Sequence, residues 1–206
     1  MSELLPNIAG IVDKLCFLRG MQAKEINHGP AKLFMNTGSG QFGRPSMGAW
    51  SLYGLGSEAE DLPGFVVLRS GGRGPRGGAP LWGNAFLPTN VAGTPFRAQG
   101  DPVLDLASPE GVGPGEQSDF FDAVGDLDRI AADRTGDPAF RNRVKTYELA
   151  HKMQTSTPDL IDLSGETQET RDLYGLGDGR PSFARNCLLA RRLVERGTRF
   201  VQLYHT

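Results

Sequence analysis

An α/β fold with a mainly parallel sheet is what this sequence predicts, on two observations. Short apolar runs, Phe65-Val66-Val67-Leu68 and Phe200-Val201-Gln202-Leu203-Tyr204, are separated by longer stretches whose apolar residues recur at helical spacing. Strands parted by helices are the mark of a layered α/β domain. The first run is also apolar at every position, as a strand covered on both faces must be; a sheet with one wet face would alternate. The 206 residues suffice for one sizeable core, so the chain is read as a single domain over 1–206.

Taken in order, Leu4, Leu5, Ile8, Ile11, Val12 and Leu15 predict an amphipathic helix over 3–15. Leu15-Cys16-Phe17-Leu18-Arg19 then predicts a short buried strand stopped by Gly20. Pro30 suits the first turn of a helix, where a missing N–H costs nothing, and Gly38 ends that helix. Pro45-Ser46 opens another through Tyr53, closed by Gly54 or Gly56. After the strand at 65–68, the run GGRGPRGG over 71–78 is a flexible basic loop. It is most simply solvated, although Arg73 and Arg76 suit an anionic ligand. Residues 79–115 are loop-rich and anchored by Trp82, Phe86, Leu87 and Phe96. So long an irregular stretch, about 70–116 in all, is expected to form a lid-like insertion.

From Gln117 a helical pattern returns, with Phe120, Val124, Leu127 and Ala131 on one face. Beyond Asp137-Pro138, Phe140, Val144, Tyr147 and His151 share the next stripe, His151 as a packed histidine. Thr157-Pro158 is expected to end that helix, because proline disfavours helical backbone before it. Ser182 caps a helix through Arg196, closed by Gly197, and 198–204 is a strand. A chain that stops on a core strand is expected to be a piece of a larger α/β domain.

Composition removes several classes. A net charge of −2 gives no reason to expect a nucleic-acid surface. No apolar run approaches the roughly 20 residues of a membrane span. Met1-Ser2-Glu3-Leu4-Leu5-Pro6 lacks the basic start and cleavage site of an export signal. Cys16 and Cys187 sit in apolar segments and read as buried free thiols; neither has a second Cys or a His at metal-ligand spacing.

The stretch that carries chemistry is His28-Gly29-Pro30-Ala31-Lys32, followed by Thr37-Gly38. It resembles the sulfatase signature C-x-P-x-R with its later T-G, at the same offset. His28 stands in the nucleophile position, where neither Cys nor Ser is present to become formylglycine. A helix start offers free N–H groups and partial positive charge to an anion. Lys32, one turn in, would pair with non-bridging oxygens. Asn27 could hold a ligand oxygen. His28 itself is open to three roles, nucleophile, metal ligand or general acid, beside that of a plain loop histidine. Ser46 competes as nucleophile beside Arg44, but a serine opening a helix more commonly caps it.

Further motifs extend the likeness along the chain: Asn36-Thr37-Gly38-Ser39, Gly43-Arg44-Pro45-Ser46-Met47-Gly48-Ala49-Trp50, Tyr53-Gly54-Leu55-Gly56-Ser57-Glu58, Gly100-Asp101-Pro102-Val103-Leu104, Tyr147-Glu148-Leu149-Ala150, Met153-Gln154-Thr155-Ser156 and Asn186-Cys187-Leu188-Leu189-Ala190-Arg191-Arg192-Leu193. Together they resemble a domain-of-unknown-function family of sulfatase-like bacterial proteins in the alkaline phosphatase superfamily. The resemblance implies a partial alkaline-phosphatase-like three-layer sandwich, truncated at both ends. It implies a metal-dependent hydrolase of phosphate or sulfate esters, acting on a small-molecule or saccharide ester. Catalytic roles then fall to His28, Lys32 and Asn27, substrate contacts to Arg44 and Ser46, and a metal-site role to His205. The divalent metal would be zinc, calcium or magnesium, with further ligands on an upstream strand and a downstream Asp/His motif. Resembling full-length proteins are exported or periplasmic. Without those flanking ligands the chain by itself is expected to be inactive. The alternative is a non-catalytic binding protein on the same scaffold, which the missing Cys or Ser favours.

Overall fold

The computed structural model describes residues 2–71, 73–97, 102–103, 108, 111–177 and 182–205. Its centre is a small, open, three-stranded parallel sheet, formed by β1 (Phe65–Ser70), β2 (Thr94–Phe96) and β3 (Phe200–His205) in the order β2-β1-β3. Val66 pairs with Thr94 on one side of β1, and Phe65 through Ser70 pair with Phe200 through His205 on the other. Seven helices are found among the described residues, so the chain is α/β.

The two-residue period of a strand decides what each face meets. Val66, Leu68, Val201 and Leu203 point to one side, against Met153 and Leu160 of α5 (Pro138–Ile161) and Leu189 and Leu193 of α7 (Phe183–Glu195). Phe65, Val67, Phe200 and Tyr204 point to the other, against Leu33 of α2 (His28–Thr37), Leu52 of α3 (Met47–Leu55) and the turn at Leu81 and Trp82. Helices thus cover both faces, which is why the 65–68 run is apolar throughout. Helix α3 lies close because it carries Gly48 at the contact. A Cβ there would stand 2.5 Å from the Phe65 ring and 2.8 Å from Phe200. Gly38 ends α2 in the left-handed conformation, φ 72°, with its N–H on Phe34 O.

Several expectations need correction. The helix expected over 3–15 is only α1 (Pro6–Ala9) and a 3₁₀ turn, Val12–Lys14. Gly10 interrupts the pattern, and no surface of the body covers its apolar stripe: Leu4, Leu5, Ile8, Ile11, Val12 and Leu15 are all exposed. Residues 15–19 form no strand, and Cys16 is exposed. Cys187 is a free thiol, half-buried, its pKa pushed up by burial.

Helix α5 runs past Thr157-Pro158 to Ile161. Proline there removes one hydrogen bond in the last turn, while burial of Thr157 and Leu160 holds the turn in place. Helix α4 (Pro114–Thr135) turns a different face inward than expected. Phe120 and Leu127 are exposed, whereas Phe121 packs on Tyr147 and His151, and Asp128 and Ala132 are buried. An ion pair from Arg143 to Asp128 fixes that rotation. Sequence reading missed α6 (Gln168–Tyr174) and β2.

Strand β2, with Leu81, Trp82, Val91 and Phe96 buried, lies within the stretch of about 70–116 read as an insertion, so part of that stretch builds the core. Much of 98–110, including Gly100, Asp101 and Leu104, lies outside the described residues.

Candidate active site

From β1 the chain moves to one side to lay down β2, then returns past β1 to lay down β3 on the other. In open parallel sheets the crevice at such a reversal, outside the carboxyl ends of the strands, is where ligands bind. Here the reversal separates β1 from β3, and their last paired residues are Ser70 and His205. Ser70 Oγ lies 3.0 Å from His205 Nδ1. It also has Tyr204 O within reach at 3.4 Å. One hydroxyl proton serves one acceptor well. With the Nε2–H tautomer, Ser70 donates to the imidazole; with the Nδ1–H tautomer, His205 donates to Oγ and the hydroxyl turns to the carbonyl. Ser70 is 4% exposed, whereas His205 is exposed, with the Phe183 ring 5.6 Å from its own.

The loop that leaves β1 at this edge is the glycine- and arginine-rich run. Arg73 and Arg76 are exposed, and the Arg69 guanidinium folds back near Gly74. Below the edge, Gln202 donates through Nε2 to Asn36 Oδ1 of α2 and to Tyr204 OH, the latter at 2.7 Å. Burial pushes the Tyr204 phenol up to about 12, against the opposing effect of the Asn36 and Gln202 hydrogen bonds. Trp82 leans on the same ring at 6.1 Å.

Helix α2 does begin at His28, with Asn27 as its N-cap. Both are exposed, and the Asn27 side chain makes no capping hydrogen bond. Lys32 is half-buried one turn on. Among the described residues, no hydrogen bond, ion pair or ring contact joins the side chains of His28, Lys32 or Arg44 to His205. Ser46 is 1% exposed at the N-cap of α3, its Oγ accepting from Ala49 N at 3.3 Å. That bond occupies it as a cap. What links α2 to β3 is its other end, through Asn36.

The residue that sequence reasoning missed is Ser70. It lies 135 positions from His205 and belongs to no spacing motif. Its one local signal is its place two residues after the apolar run 65–68, directly before Gly71-Gly72.

A divalent metal finds a partial fit. His205 offers one nitrogen donor, but no group of three His, Cys, Asp or Glu able to hold a metal occurs among the described residues.

A second, polar cleft of about 650 Å³ opens beside the amino ends of the strands, lined by Glu58, Asp61, His151, Lys152, Ser156 and Arg196 among others. Several of its groups have partners, whereas His151 Nδ1 is buried without a hydrogen bond among the described residues. Glu58 pairs with Arg199 at 3.0 Å, Lys152 Nζ donates to Glu60 O at 3.2 Å, and Ser156 donates to Asp61.

The family model described as "Protein of unknown function (DUF1501)" matches residues 1–206. No curated protein and no solved structure matches the chain.

Proposed function

We propose that this chain, which belongs to the DUF1501 family, acts on a phosphate or sulfate ester of a small molecule or saccharide at the carboxyl edge of its sheet. The observation that carries this reading is topological. The β2-β1-β3 order puts His205 and the start of the glycine–arginine loop at the same strand ends. An anionic ester needs positive charge and N–H donors around its oxygens, which exposed arginines and glycine-rich backbone supply. It also needs a group able to move a proton near the leaving oxygen, and an exposed imidazole is suited to that.

The HGPAK…TG pattern and the helix starting at His28 support an alkaline-phosphatase-like ancestry for the site. A divalent metal held by His205, which would polarise the ester oxygens, is the alternative role for that side chain, since an imidazole committed to a metal does not also move the proton; in either arrangement the protein would be exported. The test is turnover of p-nitrophenyl phosphate and p-nitrophenyl sulfate by the purified chain, with and without added zinc, calcium or magnesium. Because His205 and the arginine-bearing loop both lie within the chain, hydrolysis by the chain itself, lost in His205→Ala, is the expected result; no turnover beside retained phosphate or sulfate binding would instead match the inactivity expected of the chain without its flanking ligands. No turnover together with no binding of phosphate or sulfate by calorimetry would remove this reading.

Binding without turnover is the second reading, favoured by the absence of Cys or Ser at position 28. It requires anion binding that weakens in Arg73→Ala and Arg76→Ala while no product forms.

A further inference from the structure

The hydroxyl missing from position 28 is present elsewhere. We propose that Ser70 is the nucleophile of this site and His205 its general base, an inference that rests on the ester-hydrolase reading above. Three observations converge on the pair. Ser70 Oγ and His205 Nδ1 are 3.0 Å apart, the separation at which an imidazole takes a hydroxyl proton. Their register is fixed by the β1–β3 pairing, which runs unbroken from Phe65↔Phe200 to Ser70↔His205, so rigid strands hold the geometry rather than loops. The pair lies at the strand reversal, where the chain turns directly into the loop that bears Arg73 and Arg76. Among the described residues, the hydrogen bonds of the pair involve no acidic side chain.

The chemistry closes without a further reactant. Ser70 Oγ passes its proton to His205 Nδ1 and forms a bond to phosphorus, or sulfur, as the bond from that atom to the alcohol oxygen breaks. The imidazolium returns the proton to the departing alkoxide. Water, deprotonated by the same imidazole, then attacks the seryl ester. Inorganic phosphate or sulfate leaves, and the proton restores the hydroxyl. Arg73 and Arg76 would hold the non-bridging oxygens through both steps.

Because seryl phosphate survives acid, the intermediate can be trapped. The chain is incubated with p-nitrophenyl phosphate, quenched in acid, digested and analysed by peptide mass spectrometry. The expected result is one phosphoryl group on the peptide carrying Ser70 in the wild type, and none in Ser70→Ala. His205→Gln should slow formation of the adduct by roughly 100-fold or more, the usual effect of a positioned general base. Ser70→Cys, nearly isosteric, guards against a folding defect: it should keep the wild-type unfolding midpoint and phosphate affinity while its turnover changes. Turnover undiminished in Ser70→Ala, or an adduct on another residue, would overturn the assignment and leave the ester-hydrolase reading standing. Absence of both turnover and phosphate binding would remove the two together.

Discussion

At the scale of single residues, the tightest constraint is Gly48. Position 48 faces the Phe65 and Phe200 rings, which meet edge-on at 5.1 Å, and a methyl group there has nowhere to go. Helix α3 would have to lift from the sheet. Gly48→Ala is expected to lose about 1–3 kcal/mol, the cost of overpacking, despite the helix propensity gained. Urea unfolding at constant m-value would measure it, and a neutral or stabilising result would mean that α3 does not seat as described. Tyr204 offers a reading of the same layer. Its phenol holds its proton up to about 12, above the ordinary 10, because burial disfavours the phenolate. The folded state therefore binds more protons than the unfolded state between those values. The stability Tyr204 contributes is complete below about pH 10 and is lost as pH rises towards 12. Titration of phenolate absorbance should show one late-ionising tyrosine that Tyr204→Phe removes. If Tyr204→Phe removes no late-ionising phenol, the Asn36–Gln202–Tyr204 cluster is open to water.

At the scale of elements, α7 shows how local and tertiary signals agree. Ser182 accepts from Arg185 N at 3.0 Å, while Leu188, Leu189 and Leu193 are buried against the sheet and its neighbours. Ser182→Ala should cost about 1 kcal/mol and Leu193→Ala about 2–5 kcal/mol. Equal losses in the two variants would mean that α7 frays from its start rather than packing as a unit. This helix and strands β1 and β3 were legible in the sequence because each carries its own punctuation: a cap, a glycine stop, an unbroken apolar run. Helix α6 was not, since Gln168–Tyr174 buries no side chain and shows no periodic stripe. Strand β2 was hidden because it is three residues long with Pro95 at its centre, and proline argues against a strand until the edge position is known. The stripe of α4 was read one residue off because Asp128 is buried by its pairing with Arg143, and a carboxylate does not count towards an apolar face. That arginine also holds the Asp128 carboxyl below the usual carboxylate range, so its contribution is present at neutral pH and lost as pH falls through the lowered value. The site was half legible. The start of α2 at His28 follows from local rules, but the meeting of Ser70 with His205 is a product of strand register, which no spacing encodes.

At the scale of the whole molecule, the chain has one well-covered part and one bare part. Both faces of β1 are sealed, whereas β3 lies at a sheet edge with its apolar residues only half-buried. The segment before α2 is barer still: Leu4, Leu18, Met21 and Ile26 are largely exposed, and Phe17 is about half so. Ordinary soluble surfaces scatter such side chains; a contiguous run of them in one segment is a contact surface or an aggregation hazard. The free chain should therefore self-associate with rising concentration and bind a hydrophobic dye in its folded state. Because these side chains add little to the core, their removal separates solubility from stability. Replacing Phe17 and Leu18 with Ser should lower dye binding and shift sedimentation towards monomer, while the unfolding free energy stays within about 0.5 kcal/mol, as for surface changes generally. A large loss of stability would show that residues 15–19 are packed in solution, as a strand within the body. A monomer at every concentration, with no dye bound, would show that the segment finds cover within its own chain.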